Sequence, residues 1–439
     1  MRLSPADKTE HLERRVELMK RIGKSGVAII PAAHEAVRAR DTHYRFRQNS
    51  DFQYLTGFHE PESIAVLAPG RPEGEFILFV RPKDKEREIW DGRRAGPAGA
   101  RRGFGADQAF DLDQFDALLP QILSGRDALH YTLGDQPELD AHIAQLLRHL
   151  REVSRRGGAA PDTIIALEST LHEMRLFKRP AEIELMRHAS KVSAAAHVAA
   201  MQFTRPGRYE WEVAARIHAE FESNDMQPGY GSIVGGGDNA CILHYVENNA
   251  RLKDGDLLLI DAGGEFRGYT SDITRSFPVN GRFTGEQKAV YEVVLEAQKA
   301  AMRKMKPGAS SAKPHEAATK KLTEGMVALG LLKGDPDELI AQEKHRQFYM
   351  HGTGHWLGMD VHDVGRYKIA NKPRRFEPGM VMTVEPGLYI APGTRGVSKK
   401  FWGIGIRIED DILITQDGHE VLTSDVPKRV GEIEALMAG

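Results

Sequence analysis

Leu257-Leu258-Leu259-Ile260-Asp261-Ala262-Gly263-Gly264 reads as an apolar strand of the buried type that ends on a carboxylate. Strands of this kind avoid Asp, because burying a charge without compensation is costly. Eleven residues after Asp261, the segment Tyr269-Thr270-Ser271-Asp272-Ile273-Thr274-Arg275 brings a second carboxylate. The Gly-rich stretch between them can reverse the chain, so that two antiparallel strands would carry Asp261 and Asp272 to one point. Taken singly, each has an ordinary reading, as a turn residue or a helix N-cap.

Working outward, the pattern recurs. Val381-Met382-Thr383-Val384-Glu385-Pro386-Gly387 is another apolar strand closing on a carboxylate, and so is Gly405-Ile406-Arg407-Ile408-Glu409-Asp410-Asp411. Arg407 and Glu409 are two apart and point to one face of that strand, where the ordinary reading is a salt-bridged surface pair. Before these two strands lies His351-Gly352-Thr353-Gly354-His355-Trp356-Leu357-Gly358-Met359-Asp360-Val361-His362-Asp363-Val364-Gly365. Its first two histidines are four apart, but Gly352 stands where the zinc-helix motif needs Glu. The glycines favour irregular backbone that a ligand can approach closely. Four strand-borne carboxylates and one imidazole make a set whose four negative charges two divalent cations would cancel. Oxygen-rich ligation of this kind suits manganese, cobalt or magnesium, with zinc as an alternative.

The motifs sit in a chain that repeats a theme. Helical stretches at about 181–203 and 209–224 precede strand-rich sequence, and stretches at about 285–305 and 310–331 precede another such region. Pro180 suits the first turn of the first helix, whose Ile183, Met186, Ala189, Val192 and Ala196 form one stripe. Thr284-Gly285-Glu286-Gln287 has the pattern of a capping box. The duplication is architectural, and the halves do not align residue by residue. Upstream, Val27 to Pro31, Ser63 to Ala68, Phe76 to Val80 and His130 to Leu133 are strand-like. Asp135 to Leu150 has Leu139, Ile143, Leu146, Leu147 and Leu150 at helical spacing. This alternation predicts an α/β domain over residues 1–175. Gly, Pro and charge from Arg155 to Pro161 predict a surface loop, with the boundary just beyond it, near Glu173 to Arg179. Residues 176–439 form the second domain.

Composition agrees with two soluble domains. The chain has 439 residues, 41% of them hydrophobic, which is too long for one typical domain and apolar enough for a sizeable core. Acidic residues number 62 and basic residues 60, a net charge of -2, so nothing in the whole-chain charge points to nucleic acid or anionic membrane. A single cysteine, Cys241, excludes an internal disulfide and a thiolate zinc cluster. The charged first 24 residues lack the apolar stretch of a secretory signal, and no stretch is long enough to span a bilayer, so the expected location is cytoplasmic. Two glycine motifs fall away on spacing. Gly23-Lys24-Ser25 would end a phosphate loop only if Leu18 were Gly, and Gly235-Gly236-Gly237 lacks the spacing and following helix of a dinucleotide site.

The ordered set Asp261, Asp272, His355, Glu385 and Glu409 resembles the metal ligands of the pita-bread metallopeptidases, which include methionine aminopeptidase, prolidase, creatinase and aminopeptidase P. The 351–365 stretch resembles the proline-specific branch. Arg47 to Phe58 and Ile89 to Arg94 resemble the N-terminal domain of aminopeptidase P. The resemblance covers nearly the whole chain and lacks no ligand. It implies an α/β N-terminal domain followed by an α+β pita-bread catalytic domain. It also implies a metal-dependent exopeptidase that removes the residue before a proline, by attack of a hydroxide bridging two divalent ions about 3.5–4 Å apart. The ions would be manganese first, with cobalt or zinc as alternatives. Asp272 and Glu409 would bridge them, and Glu385 would also relay the proton to the leaving nitrogen. Asp261 would meet the substrate amine. His244, His351 and His362 would stabilise the oxyanion and shape the proline pocket, with Trp356 and Tyr389 as apolar walls. Arg407 would hold a ligand carboxylate or the proline-side carbonyl. Trp90, Asp41 and Arg94 would line the mouth in a homo-oligomer, dimer or tetramer, with proline-containing peptides as substrates. Two alternatives stay open: a dipeptidase of the prolidase kind, and a non-enzymatic binding protein on the same fold. Creatine-type hydrolysis is more distant.

Overall fold

The computed structural model describes residues 3–153 and 159–439. Arg155 to Gly158 of the expected loop lie outside the described residues. The chain divides into two compact units, Met1–Met174 and Arg175–Gly439.

The first unit opens with helix α1 (Pro5–Ile22), started by a capping box in which the Ser4 hydroxyl accepts from the Asp7 amide at 3.1 Å. Strands β1 (Gly26–Pro31), β2 (Ile64–Leu67), β3 (Phe76–Val80), β4 (Gln108–Asp111), β5 (Ala128–His130) and β6 (Thr163–Ile165) form one sheet in the order β4-β3-β2-β1-β5-β6. Only β2 runs antiparallel to its neighbours. Val27, Ile29, Val66, Ile77 and Phe79 alternate onto a face that packs on helix α2 (Pro137–Glu152) through Ile143, Leu147 and Leu150. The four strand-like runs and the amphipathic helix read from the sequence are therefore present, with ends shifted by at most three residues, although the run His130 to Leu133 meets its strand only at His130.

The second unit has two helix pairs, each followed by a bent hairpin. Helices α3 (Pro180–Phe203) and α4 (Glu210–Ser223) precede strands β7 (Ile233–Gly236), β8 (Leu257–Asp261), β9 (Gly264–Phe266), β10 (Tyr269–Thr270) and β11 (Thr274–Pro278). Helices α5 (Gly285–Met302) and α6 (Lys313–Ala328) precede β12 (Val381–Val384), β13 (Gly387–Ile390), β14 (Ile404–Arg407) and β15 (Asp410–Ile414). Helix α5 starts on the expected box: the Thr284 hydroxyl accepts from the Gln287 amide at 3.2 Å, and the Gln287 side chain accepts from the Thr284 amide at 2.9 Å.

Each hairpin is a long antiparallel pair interrupted once. In the first, β8 pairs with β11 and β9 with β10, and the interruption falls at residues 262–263 and 271–273. In the second, β12 pairs with β15 and β13 with β14, and the interruption falls at 385–386 and 408–409. Pro386 has no N–H to continue the ladder, which helps to place the second break. At the first break the backbone approaches so closely that a Cβ on Gly263 would lie 1.7 Å from the Ser271 carbonyl oxygen. Asp261 is the last residue of its strand, whereas Asp272, Glu385 and Glu409 lie in the breaks rather than within strands. The reading of four strand-borne carboxylates is corrected to that extent. A regular pleat would send successive side chains to opposite faces, and the break releases these three from that alternation.

Candidate metal centre

The two breaks face one another. Glu409 N–H donates to the Thr274 carbonyl at 3.0 Å and Glu385 N–H to the Thr353 carbonyl at 2.8 Å, so both glutamates are tied to a neighbouring segment rather than to each other's strand. One ligand atom each from Asp272, His355 and Glu409 lie within 4.8 Å of one another. His355 Nε2 is 3.4 Å from an Asp272 oxygen and 3.6 Å from a Glu385 oxygen. Its Nδ1 is 3.0 Å from the Trp356 carbonyl, which only accepts. That bond fixes a proton on Nδ1 and turns Nε2 towards the carboxylates, where a divalent ion can replace the Nε2 proton. Asp261 joins through two shared partners. Tyr230 places its hydroxyl 2.7 Å from Asp261 Oδ1 and 2.5 Å from Asp272 Oδ1. Arg407 donates from Nη2 to Asp261 Oδ2, and from Nε to the Thr274 hydroxyl at 3.0 Å, which in turn donates to Glu409 at 2.6 Å.

The electrostatics match a site built for cations. Burial, followed by the neighbouring acids, pushes Glu409 well above the usual carboxylate range. Burial raises Glu385 to about 7, against the pull of His355 and Arg407. Asp261 is also raised by burial, although Arg407 opposes this. Burial works against a charge on His355, but Asp272 and Glu385 outweigh it and lift that imidazole to about 9. Four acids gathered around one arginine and one imidazole hold more negative charge than their own neighbours neutralise, so the residues fit divalent ions.

These features coincide with two family patterns. Residues 184–416 match the model of metallopeptidase family M24, and residues 11–131 match the aminopeptidase P N-terminal domain. The chain belongs to metallopeptidase family M24. It is 46% identical to the Xaa-Pro aminopeptidase of Escherichia coli over 437 residues, 99% of each chain. It is 36% identical to human Xaa-Pro aminopeptidase 3, over 97% of this chain and 85% of that protein. Among solved structures, an aminopeptidase of Pseudomonas aeruginosa superposes with a TM-score of 0.97 at 52% identity, covering 100% of this chain and 99% of that one. The E. coli aminopeptidase P with the inhibitor Pro-Leu gives 0.95 at 46% identity, covering 100% and 99%. The architecture is thus an aminopeptidase P N-terminal domain followed by a pita-bread metallopeptidase domain.

Within this M24 domain the other expected residues fall into three groups. His362 stands edge-on to His355 with ring centroids 4.4 Å apart and is exposed, as is His244. His351 is held on both nitrogens. Nδ1 donates to the Gly352 carbonyl at 2.7 Å, and Nε2 accepts from the Tyr389 hydroxyl at 2.9 Å, which itself accepts from Arg407 Nη1 at 3.1 Å. Burial, then Arg407, lowers His351 to about 4, so the ring is neutral. Its single proton points at Gly352, which corrects the expectation that it donates to an oxyanion. Tyr389 is buried and occupied by that chain of bonds. Trp356 corrects a second expectation: it has no exposed surface, stacks on Tyr367 at 5.2 Å and packs edge-on to Phe376. It bridges to Met382 in extended backbone, so its side chain points opposite to that of His355. Trp90 and Asp41 belong to the first unit, where Trp90 is 84% exposed and Asp41 is exposed. Arg94 there pairs with Asp91 at 3.4 Å.

The sequence reading passed over Tyr230, Thr274 and Asp411. Tyr230 lies in Gly229-Tyr230-Gly231, which reads as a plain loop. Asp411 did carry a signal, an acid inside the apolar run of β15. It is fully buried and accepts the Asp272 amide at 3.0 Å.

Proposed function

We propose that the chain is a dinuclear metallopeptidase that removes the N-terminal residue from peptides with proline in second position. The observation that carries the reading is the imidazole of His355, pinned on Nδ1 and turned on Nε2 towards acids that lack enough cationic partners of their own. Asp261, Asp272, His355, Glu385 and Glu409 would hold two divalent ions, manganese in preference to cobalt or zinc. When bound, such ions act as Lewis acids and lower the pKa of a shared water towards neutrality. The chain's own residues do the rest. Glu385 takes a proton and passes it to the proline nitrogen, which has no N–H of its own when bonded in a peptide. Asp261 anchors the substrate's terminal amine and is held for that purpose by Arg407 and Tyr230. Exposed His244 and His362 donate to the developing oxyanion. Arg407 is engaged with Asp261 and Tyr389, which supports the ligand-holding role considered for it over capture of a free carboxylate.

The full-length likeness to proteins named Xaa-Pro aminopeptidase supports the aminopeptidase over the dipeptidase. Assembly as a dimer or tetramer is part of the proposal, and sedimentation of the purified chain tests it. So is a cytoplasmic location, which a fold with one free cysteine and no disulfide requirement suits. Among the described residues, no helix is long and apolar enough to cross a membrane.

The deciding experiment uses chelator-stripped protein with added manganese, on Arg-Pro-Pro-type tripeptides and on Xaa-Pro dipeptides, with the released amino acid as readout. Preferential cleavage of the tripeptides is the expected result. Cleavage of dipeptides alone would make the chain a prolidase. No cleavage of either, across several divalent metals, would return the binding-protein reading.

A further inference from the structure

A strand break can leave carbonyls without ladder partners, and in a buried hairpin each such group is costly unless a donor meets it. Both breaks at this centre meet that demand from the helix packed behind them. In the first, His197 of α3 is fully buried, and its Nε2 lies 2.9 Å from the carbonyl of Ala262, the residue after Asp261. A carbonyl only accepts, so the ring donates. One turn earlier on the same helix face, the Ser193 hydroxyl accepts the Gly264 amide at 3.0 Å and a bond from the Ser271 hydroxyl at 2.7 Å.

In the second break, Gln298 of α5 is also fully buried. Its Nε2 lies 3.3 Å from the Val384 carbonyl, 3.2 Å from the Ile408 carbonyl and 3.0 Å from Asp410 Oδ2. Three acceptors around that nitrogen fix the orientation of the amide. Val384 precedes Glu385 and Ile408 precedes Glu409. Each helix thus supplies one neutral N–H donor to backbone immediately beside the carboxylates. His197 and Gln298 perform the same task in the two halves of the repeated architecture, although one is an imidazole and the other an amide.

We infer that His197 and Gln298 are paired positioning residues: each donates from behind to carbonyls that border one strand break and so sets where that half's carboxylates stand relative to the other half's. The inference rests on the metal-centre reading above. Neither side chain touches a carboxylate assigned to the metal, so both act through the backbone.

The test titrates manganese into the chelator-stripped full chain by calorimetry and records thermal unfolding of the same metal-free samples. His197→Leu and Gln298→Met keep bulk and lose the donor, and each is expected to weaken metal binding by about 10–100-fold, as loss of an outer-shell partner does. His197→Gln, which borrows the donor used by the other half, is expected to restore binding close to that of the unmodified chain. Where leucine prevents folding, His197→Asn carries the test, with a shorter reach and an intermediate loss expected. Lower unfolding temperatures with an unchanged metal dissociation constant would overturn the inference, and so would equal losses in His197→Leu and His197→Gln. The parent reading fails differently: an unmodified chain that takes up no divalent ion would sink the metal centre itself.

Discussion

Glu409 and Asp410 are consecutive, both buried, and sit in opposite surroundings. Glu409 faces Asp272, Glu385 and Asp261, and burial together with those acids drives its pKa up. Asp410 faces the other way. It receives Arg275 at 2.7 Å, Lys428 at 2.5 Å, Thr423 at 2.8 Å and Gln298 at 3.0 Å. Burial alone would raise it, but Arg275 and Lys428 outweigh burial and hold it below the usual carboxylate range. The same short stretch of chain therefore carries one acid whose charge the protein balances internally and one whose charge it leaves to something external. Burial by itself does not mark a functional acid; burial without an internal counter-charge does.

The largest effect that would break or sharpen this contrast is on the front side. Asp272→Asn should lower metal-supported turnover by at least about a thousandfold, since it removes a centrally placed oxygen ligand. It should leave thermal unfolding of the metal-free chain unchanged or improved, because it relieves repulsion among acids. Near-normal activity would sink the assignment. On the back side the pattern should invert. Arg275→Met strips the main counter-charge from a fully buried Asp410 and should cost about 3–5 kcal/mol in urea unfolding. A stability loss no greater than that of Asp272→Asn would mean that the two acids are not differently compensated.

That front side was largely legible in the sequence, because a carboxylate closing an apolar strand is a local contradiction visible within a few residues. Asp261, Glu385 and Glu409 announced themselves in this way, and the capping box at Thr284 and the Pro180 start fixed two helices. The back side was not legible. Arg275 and Asp410 are 135 residues apart, and nothing in either segment names its partner. Tyr230 was silent for a related reason: between two glycines it has no periodicity, and its role exists only where two distant carboxylates converge. Trp356, expected as an apolar wall of the proline pocket, is instead fully buried in the core. In extended backbone, adjacent residues face opposite ways, so the residue beside a ligand is the one most surely turned into the core.

The next prediction in size concerns His244. His244→Ala should cut turnover by about a hundredfold with metal content unchanged, because the exposed ring is assigned to the oxyanion and not to the ions. Equal activity per bound metal would contradict that role. The pH dependence separates the two sides more broadly. In the metal-free chain Glu385 stands at about 7, against ~4.3 when unfolded. Its stabilising contribution is full below the unfolded value and is lost as pH rises through about 7. His355, lifted to about 9 from an unfolded ~6.5, likewise loses its contribution as pH rises through about 9. Asp410 runs the other way: its contribution is present above the unfolded ~3.9 and is lost in acid, as pH falls through its depressed value. Unfolding temperatures recorded from pH ~4 to ~9 should fall on the alkaline side with chelator, and manganese should remove that fall by replacing protons. An alkaline limb indifferent to metal would separate these acids from the metal centre.

The smallest effect tests how far the balance of charge extends beyond the ligands. Arg407 is shared between Asp261 and the Tyr389 hydroxyl, and the Tyr389 hydroxyl donates a hydrogen bond to His351. Tyr389→Phe removes one oxygen from this chain and leaves the guanidinium with its carboxylate partner. The metal should therefore stay bound. What changes is the orientation of a neutral imidazole, expected to shape the proline pocket, that has lost the donor on Nε2 and keeps only its bond to Gly352. A single neutral hydrogen bond is worth about 1 kcal/mol, so turnover should fall roughly fivefold to tenfold, with metal content and unfolding temperature close to the unmodified chain. A loss of metal in Tyr389→Phe would show instead that Arg407 cannot hold Asp261 without the tyrosine, and would move the boundary of the metal centre outward to include it.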